Sequence, residues 1–177
     1  LACCNAWSRD AQIRHISASG GVVTTLVKTL LDSGRYDSVF CLDTYDYREQ
    51  LRVRRHTADS FLSGDERGMT PKSRYLPVSH EEAVRYLLSH RQERIIFIAT
   101  SCALRGLAAV MEQKKLDREN YLLIGLFCDK IFNHNAMAYW QDRFCDGKPL
   151  ERLHFKNKES GGWPGDMKLF PEGEQSR

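Results

Sequence analysis

Two short apolar runs, residues 95–99 (IIFIA) and 122–127 (LLIGLF), flank a stretch of one helix length, ALRGLAAVMEQKK. Runs this short and this apolar read as buried parallel strands joined by a crossover helix. Both strands then point the same way. The cysteines just past them, Cys102 and Cys128, are expected at the carboxyl edge of one sheet, on the same side. Open α/β sheets place their ligands at that edge.

The remaining pattern fits the same class. SASGG (17–21) precedes apolar positions Val22, Val23, Leu26, Val27, Leu30 and Leu31, the spacing of an amphipathic helix that Gly34 stops. Residues 38–46 and 51–57 read as strands, with DYRE as a hairpin connection. Residues 58–72 are polar and rich in breakers, which predicts a surface loop. In SHEEAVRYLLSH, Ser79 and Glu82 form a capping box ahead of Ala83, Val84, Leu87 and Leu88. NHNAMAYWQDRF predicts a helix with Met137, Trp140 and Phe144 on one face. LERLHFKNK and DMKLF read as strands around a tight loop, KESGGWPGD, that leaves Trp163 exposed. The opening, through Trp7, reads as a strand or extended arm, followed by a turn at residues 8–10. The expected fold is α/β, with a mixed, partly parallel sheet and helices packed on its faces.

At 177 residues, with 42% hydrophobic and 28% charged residues, the chain has the composition of one globular domain. A net charge of +3, with basic residues spread rather than striped, argues against a nucleic-acid partner. No apolar run approaches the length of a membrane span, and no signal peptide opens the chain. The six cysteines (Cys3, Cys4, Cys41, Cys102, Cys128, Cys145) contain no CxxC pair and no compact framework, which excludes a classical zinc ribbon. Free thiols of this kind suit a reducing compartment, and the expected location is cytoplasmic. The chain begins at Leu1 rather than Met and is expected to be part of something longer.

Two features suggest chemistry. The first is SASGG at a helix N-terminus, where backbone N–H groups are open to phosphate; simple N-capping by Ser19 is the alternative. The second is the thiol pair, which suits a metal or iron–sulfur cluster; small apolar core packing is the alternative. Cys102 as a nucleophile with His15, His56 or His80 is a further alternative. Cys3 and Cys4, adjacent in an arm, point to opposite faces and read as structural.

Several segments together resemble a known family. WSRDAQIRHISASGGVVTTLVKTLLDSGRYDSVF is similar to WS.D..IR..SSSGG..T.L....L..G..D.V of the coenzyme F-420 hydrogenase/dehydrogenase beta-subunit family. KSRYLPV resembles its KSKYV, IFIATSCALRGLAAVM its vfiGTPCQiagL, and HFKNKESGGWPGDMKL its FR.K..GWPG.m.l. LLIGLFCDKIFNHNAMAYW stands where the family has igl.C.g and a helix. The resemblance implies an electron-transfer subunit with FAD and a 4Fe-4S cluster. Its partner would be a redox protein or ferredoxin-like domain, or a deazaflavin or other small acceptor. It further implies one flavin domain over residues 1–177, with the SASGG loop in 1–78 and both cluster cysteines in 79–177. Ser17, Ser19, Gly20 and Gly21 would lie at the flavin diphosphate, approached by Lys72, Ser73 and Tyr75. Thr100 would sit at the same cofactor, and Lys130 (or Lys72) would stabilise reduced flavin. Cys102 and Cys128 would ligate iron. The family's Gly-Thr-Pro-Cys-Gln is Ala99-Thr100-Ser101-Cys102-Ala103 here, and two thiolates do not complete a four-iron cluster. A scaffold that keeps the fold without cofactors is the alternative reading.

Overall fold

Alternation along the central strands sets the architecture. In the computed structural model, which describes residues 3–42, 51–62 and 73–173, strand β4 (Ile95–Thr100) sends Ile95 and Phe97 to one face and Ile96 and Ile98 to the other. It pairs in parallel with β1 (Ser38–Leu42) and with β5 (Tyr121–Leu126). Strand β2 (Leu51–His56) pairs antiparallel with β1, and the short β3 (Val78–Ser79) runs parallel to β2. The sheet order is β3-β2-β1-β4-β5, with β6 (Leu150–Asn157) and β7 (Asp166–Pro171) forming a separate antiparallel pair. The expected mixed, partly parallel sheet is therefore present.

Helices cover both faces. Helix α2 (Val22–Asp32) sends Val27, Leu30 and Leu31 against Val39, Cys41 and Ile96. On the opposite face, α3 (Glu81–Ser89) and α4 (Ser101–Gln113) contribute Ala83, Leu87, Leu107 and Met111 to a core around Phe40 and Phe97. Phe40 and Phe97 stack with centroids 5.6 Å apart. Burying each large apolar side chain of this kind contributes about 1.5–3 kcal/mol. A third core, at the carboxyl end of β1, joins Leu51 and Leu76 to Met137 and Trp140 of α5 (His134–Phe144) and to Leu153, Phe155 and Leu169 of the β6–β7 pair.

Several local expectations are corrected. Residues 11–16, for which the pattern predicted no element, form helix α1 (Ala11–Ile16), capped by the Asp10 carboxylate on the N–H groups of Gln12 and Ile13. The arm before it, from residue 3, forms no strand. The cap of α3 is His80, not a Ser79–Glu82 box; Ser79 Oγ accepts instead from Glu81 N at 3.4 Å. Phe144 is 46% exposed, so the buried stripe of α5 ends at Trp140. Phe61, in the stretch expected to be a surface loop, is buried beside α2. The hairpin connection, residues 43–46 of the first expected strand, and residues 63–72 lie outside the described residues. Trp163 is exposed, as the sequence indicated.

Candidate functional site at the carboxyl edge of the sheet

β4 and β5 pair in continuous register from Ile95↔Tyr121 to Thr100↔Leu126. Cys102 and Cys128 each follow the last pair by two residues, so both thiols leave the same edge. Both are exposed, which removes the reading of core packing for this pair. Cys3 and Cys4 in the arm are exposed too, while Cys41 and Cys145 are buried.

Cys102 occupies the first turn of α4. Thr100 is the backbone cap of that helix, but its hydroxyl does not bond the helix N–H groups; it lies 3.3 Å from Cys102 Sγ. That hydroxyl is the main reason the Cys102 thiol titrates below its ordinary range. Desolvation pushes the other way, and the N–H groups of Ala103 and of Cys102 itself add to the lowering. A thiolate favoured at a helix N-terminus is the state that a metal or an electrophile meets. Thr100→Val is therefore expected to move the alkylation midpoint of Cys102 back toward the ordinary thiol range, read as iodoacetamide rate against pH by peptide mapping. An unchanged midpoint would show that the hydroxyl does not set it. The recorded side-chain partner of Cys102 is Thr100 rather than any of the histidines considered for a nucleophilic pair.

Cys128 lies in the loop after β5, with its thiol 3.9 Å from the Lys130 carbonyl. The Lys130 ammonium is 2.8 Å from Asp129 Oδ2. Its pKa is raised, first by that hydrogen bond and charge and then by the Tyr75 hydroxyl, against desolvation. The loop is tied to the chain before β3 by a 2.6 Å bond from Phe132 N to Tyr75 O. Tyr75 itself packs edge-on against Phe155 and Phe132, so its ring belongs to the third core. Ser73 is half-buried two residues earlier, and Lys72 lies outside the described residues.

The glycine loop reaches the same edge from the other side. The connection at residues 33–37 turns α2 back against β1, which places the N-terminus of α2 at the strand's carboxyl end. Gly21, at φ +77°, is the cap residue, and no side chain caps the helix, so the expected alternative of capping by Ser19 does not hold. Ser17 is buried, with its hydroxyl 3.3 Å from Thr24 Oγ1. The two glycines serve packing within the chain. A Cβ on Gly20 would lie 2.9 Å from Ala6 O, and one on Gly21 would lie 3.2 Å from Ile13. Ser8 N donates to Gly20 O at 2.7 Å, so the arm is laced to the loop.

Sequence reasoning missed Lys158. It is only 9% exposed, and its ammonium donates to Arg14 O and Ser19 O, both at 2.7 Å. The β6–β7 hairpin thus holds the glycine loop. The available signal was that Lys158, counted from Phe155, falls at the lysine of the FR.K..GWPG pattern, with one extra residue before Gly162.

The donor sets differ in how well they fit the expected groups. A glycine-bent, uncapped helix N-terminus suits a diphosphate. Two thiolates fall short of a cluster, and among the described residues no group of three or more His, Cys, Asp or Glu is placed to hold a metal.

The family model described as coenzyme F420 hydrogenase/dehydrogenase, beta subunit N-term, matches residues 3–62. A second model, for the carboxyl-terminal part of the same family, matches residues 92–172. No curated protein matches the chain. Among solved structures, a chain of the xenon-derivatized F420-reducing NiFe hydrogenase complex from Methanosarcina barkeri is similar, with a TM-score of 0.63 at 14% identity. The alignment covers 96% of this chain and 57% of that one, and it establishes a shared fold.

Proposed function

The chain belongs to the coenzyme F420 hydrogenase/dehydrogenase beta-subunit family, whose members are electron-transfer subunits, and on that premise we propose that it carries FAD and helps to hold a 4Fe-4S cluster. FAD exchanges a hydride with one partner and single electrons with the other when bound. This chain's own contribution is to bind and orient. The backbone of Ser17, Ser19, Gly20 and Gly21 and the first turn of α2 would receive the diphosphate, with Lys72 and Ser73 alongside. Tyr75, held in the aromatic core, would act by placing the Lys130 loop rather than by touching the cofactor. Thr100 favours ionisation of Cys102, and Lys130 supplies positive charge near the flavin ring. Cys102 and Cys128 would give two thiolates, the rest coming from a redox partner or ferredoxin-like domain. A deazaflavin or other small molecule would be the second acceptor. We take residues 1–177 as one flavin domain and its location as cytoplasmic; no helix of the described residues is long and apolar enough to cross a membrane.

One observation carries the proposal: the glycine-bent start of α2, the start of α4 and both exposed thiols meet at one sheet edge. The flavin half is tested at Val22, the exposed first residue of α2. A carboxylate there suits the helix dipole and stabilises the fold by about 0.3–1 kcal/mol, yet it would repel a diphosphate. Val22→Glu is expected to keep or raise the melting temperature while weakening FAD binding about tenfold or more. Undiminished FAD affinity would place the flavin elsewhere, and a wild-type protein that binds no FAD would favour the cofactor-less scaffold.

A further inference from the structure

We infer that Lys158, with Arg14, supplies the positive charge that holds a dinucleotide diphosphate at the glycine loop, Lys158 acting as the positioning residue that shapes the loop for it. The inference rests on the flavin reading of that loop and deepens it.

Burying an ammonium is costly unless an anion or strong hydrogen bonds compensate. Lys158 is nine-tenths buried, and among the described residues its bonds go to two carbonyls, Arg14 O and Ser19 O. Its pKa is lowered, first by burial and then by the like charge of Arg14. Arg14 is half-buried, and its guanidinium likewise donates to a carbonyl, Ser8 O at 2.7 Å. The acids close by in sequence are engaged elsewhere. Asp10 caps α1, and Glu159 pairs with Lys168 at 2.6 Å. Asp166, the register partner of Asn157, accepts from Ser160 Oγ, and Lys28 and Asp32 of α2 pair with one another at 2.6 Å. Arg9 and His15 are the other ionisable groups around α1, and α2 has no acid in its first turn. Two cations, neither paired with a carboxylate among the described residues, therefore lie near the positive end of an eleven-residue helix. Lys158 also draws the Arg14 and Ser19 carbonyls toward itself. That turns the negative ends of those peptides away from an incoming anion. A diphosphate, as in FAD or ADP, has the charge and length to compensate this locus.

The test measures FAD and ADP binding by calorimetry for wild type, Lys158→Met and Lys158→Arg, from neutral pH to about pH 10, with a thermal melt of each. Lys158→Met is expected to weaken both ligands by the same factor, about tenfold or more, and Lys158→Arg to retain most of the affinity. Wild-type ADP affinity should fall at alkaline pH, below the ordinary lysine range, and the arginine variant should show no such step. A purely structural lysine would not produce that difference. Equal binding by wild type and Lys158→Met overturns the inference and leaves the flavin reading standing. ADP binding that depends on Lys158, without FAD binding, supports the inference and overturns the flavin reading. No binding of either ligand by wild type overturns both. If Lys158→Met does not fold, the pH comparison of wild type with Lys158→Arg decides, and a flat wild-type profile overturns the inference.

Discussion

Replacing Gly165 by alanine is expected to destabilise the protein by about 2–4 kcal/mol, a large part of the stability of a domain this size. Gly165 sits at φ +80°, where a side chain is strained. A Cβ there would also overlap Asn157 O and lie 2.7 Å from Lys156 C and 2.9 Å from Asn157 C. These are backbone atoms, which cannot rotate aside. They belong to an irregular stretch of β6, where the register shifts between His154 and Asn157 and Lys156 takes φ 56°. Lys158 follows directly, so moving this stretch also pulls its ammonium from Arg14 O and Ser19 O. FAD affinity should therefore fall with stability. Gly162 is the control: its φ is +77°, yet nothing lies within 4 Å of a Cβ there. Gly162→Ala should cost only about 1 kcal/mol. Urea denaturation of the two variants checks both values, and a Gly165→Ala midpoint equal to wild type would refute the packing argument.

The contrast shows what the sequence could and could not convey. GGWPG reads as a tight loop from composition alone, but only the fold reveals which glycine faces a neighbouring backbone. The β4–α4–β5 unit was legible because buried parallel strands are apolar on both faces and need no partner pattern to be seen. Helix α1 was not, because six residues with one buried side chain, Ile13, carry no period. Ser19 looked like a cap because serine usually is one; the left-handed backbone of Gly21 places the helix start two residues later. Lys158 was missed for a different reason. A lysine in a polar loop reads as solvated, and its partners lie 144 and 139 residues away. Tyr75 was expected at the cofactor, whereas its ring fills a core whose other aromatics come from the far half of the chain. The edge that gathers the thiols was thus readable, and the tertiary bonds that shape the glycine loop were not.

Loss of either exposed edge thiol is expected to abolish iron binding in the proposed assembly of this chain with a redox partner. Cys102 and Cys128 stand two residues past the same register pair, Thr100↔Leu126, and neither is buried. The Thr100 hydroxyl favours ionisation of the first, which suits ligation of iron. Four thiolates normally hold a four-iron cluster, and these two account for half. Of the remaining described cysteines, Cys3 and Cys4 are exposed in the amino-terminal arm, and no group of three or more metal-ligating side chains is placed to hold a metal among the described residues. Cys41 is buried within β1, and Cys145 is buried after α5. The chain alone, reconstituted anaerobically with iron and sulfide, should therefore hold no stoichiometric cluster. The proposed assembly with its redox partner, recovered anaerobically, should hold one. Cys102→Ala and Cys128→Ala should each reduce its iron and labile sulfide to background, and the double variant should be no worse than either single one. Because both positions are solvent-exposed, the substitutions should leave the stability of the isolated chain within about 0.5 kcal/mol of wild type, which separates a lost ligand from a lost fold. Full iron in either single variant would mean that the cluster is ligated elsewhere. A stoichiometric cluster on the isolated chain would mean that the two further thiolates lie within it.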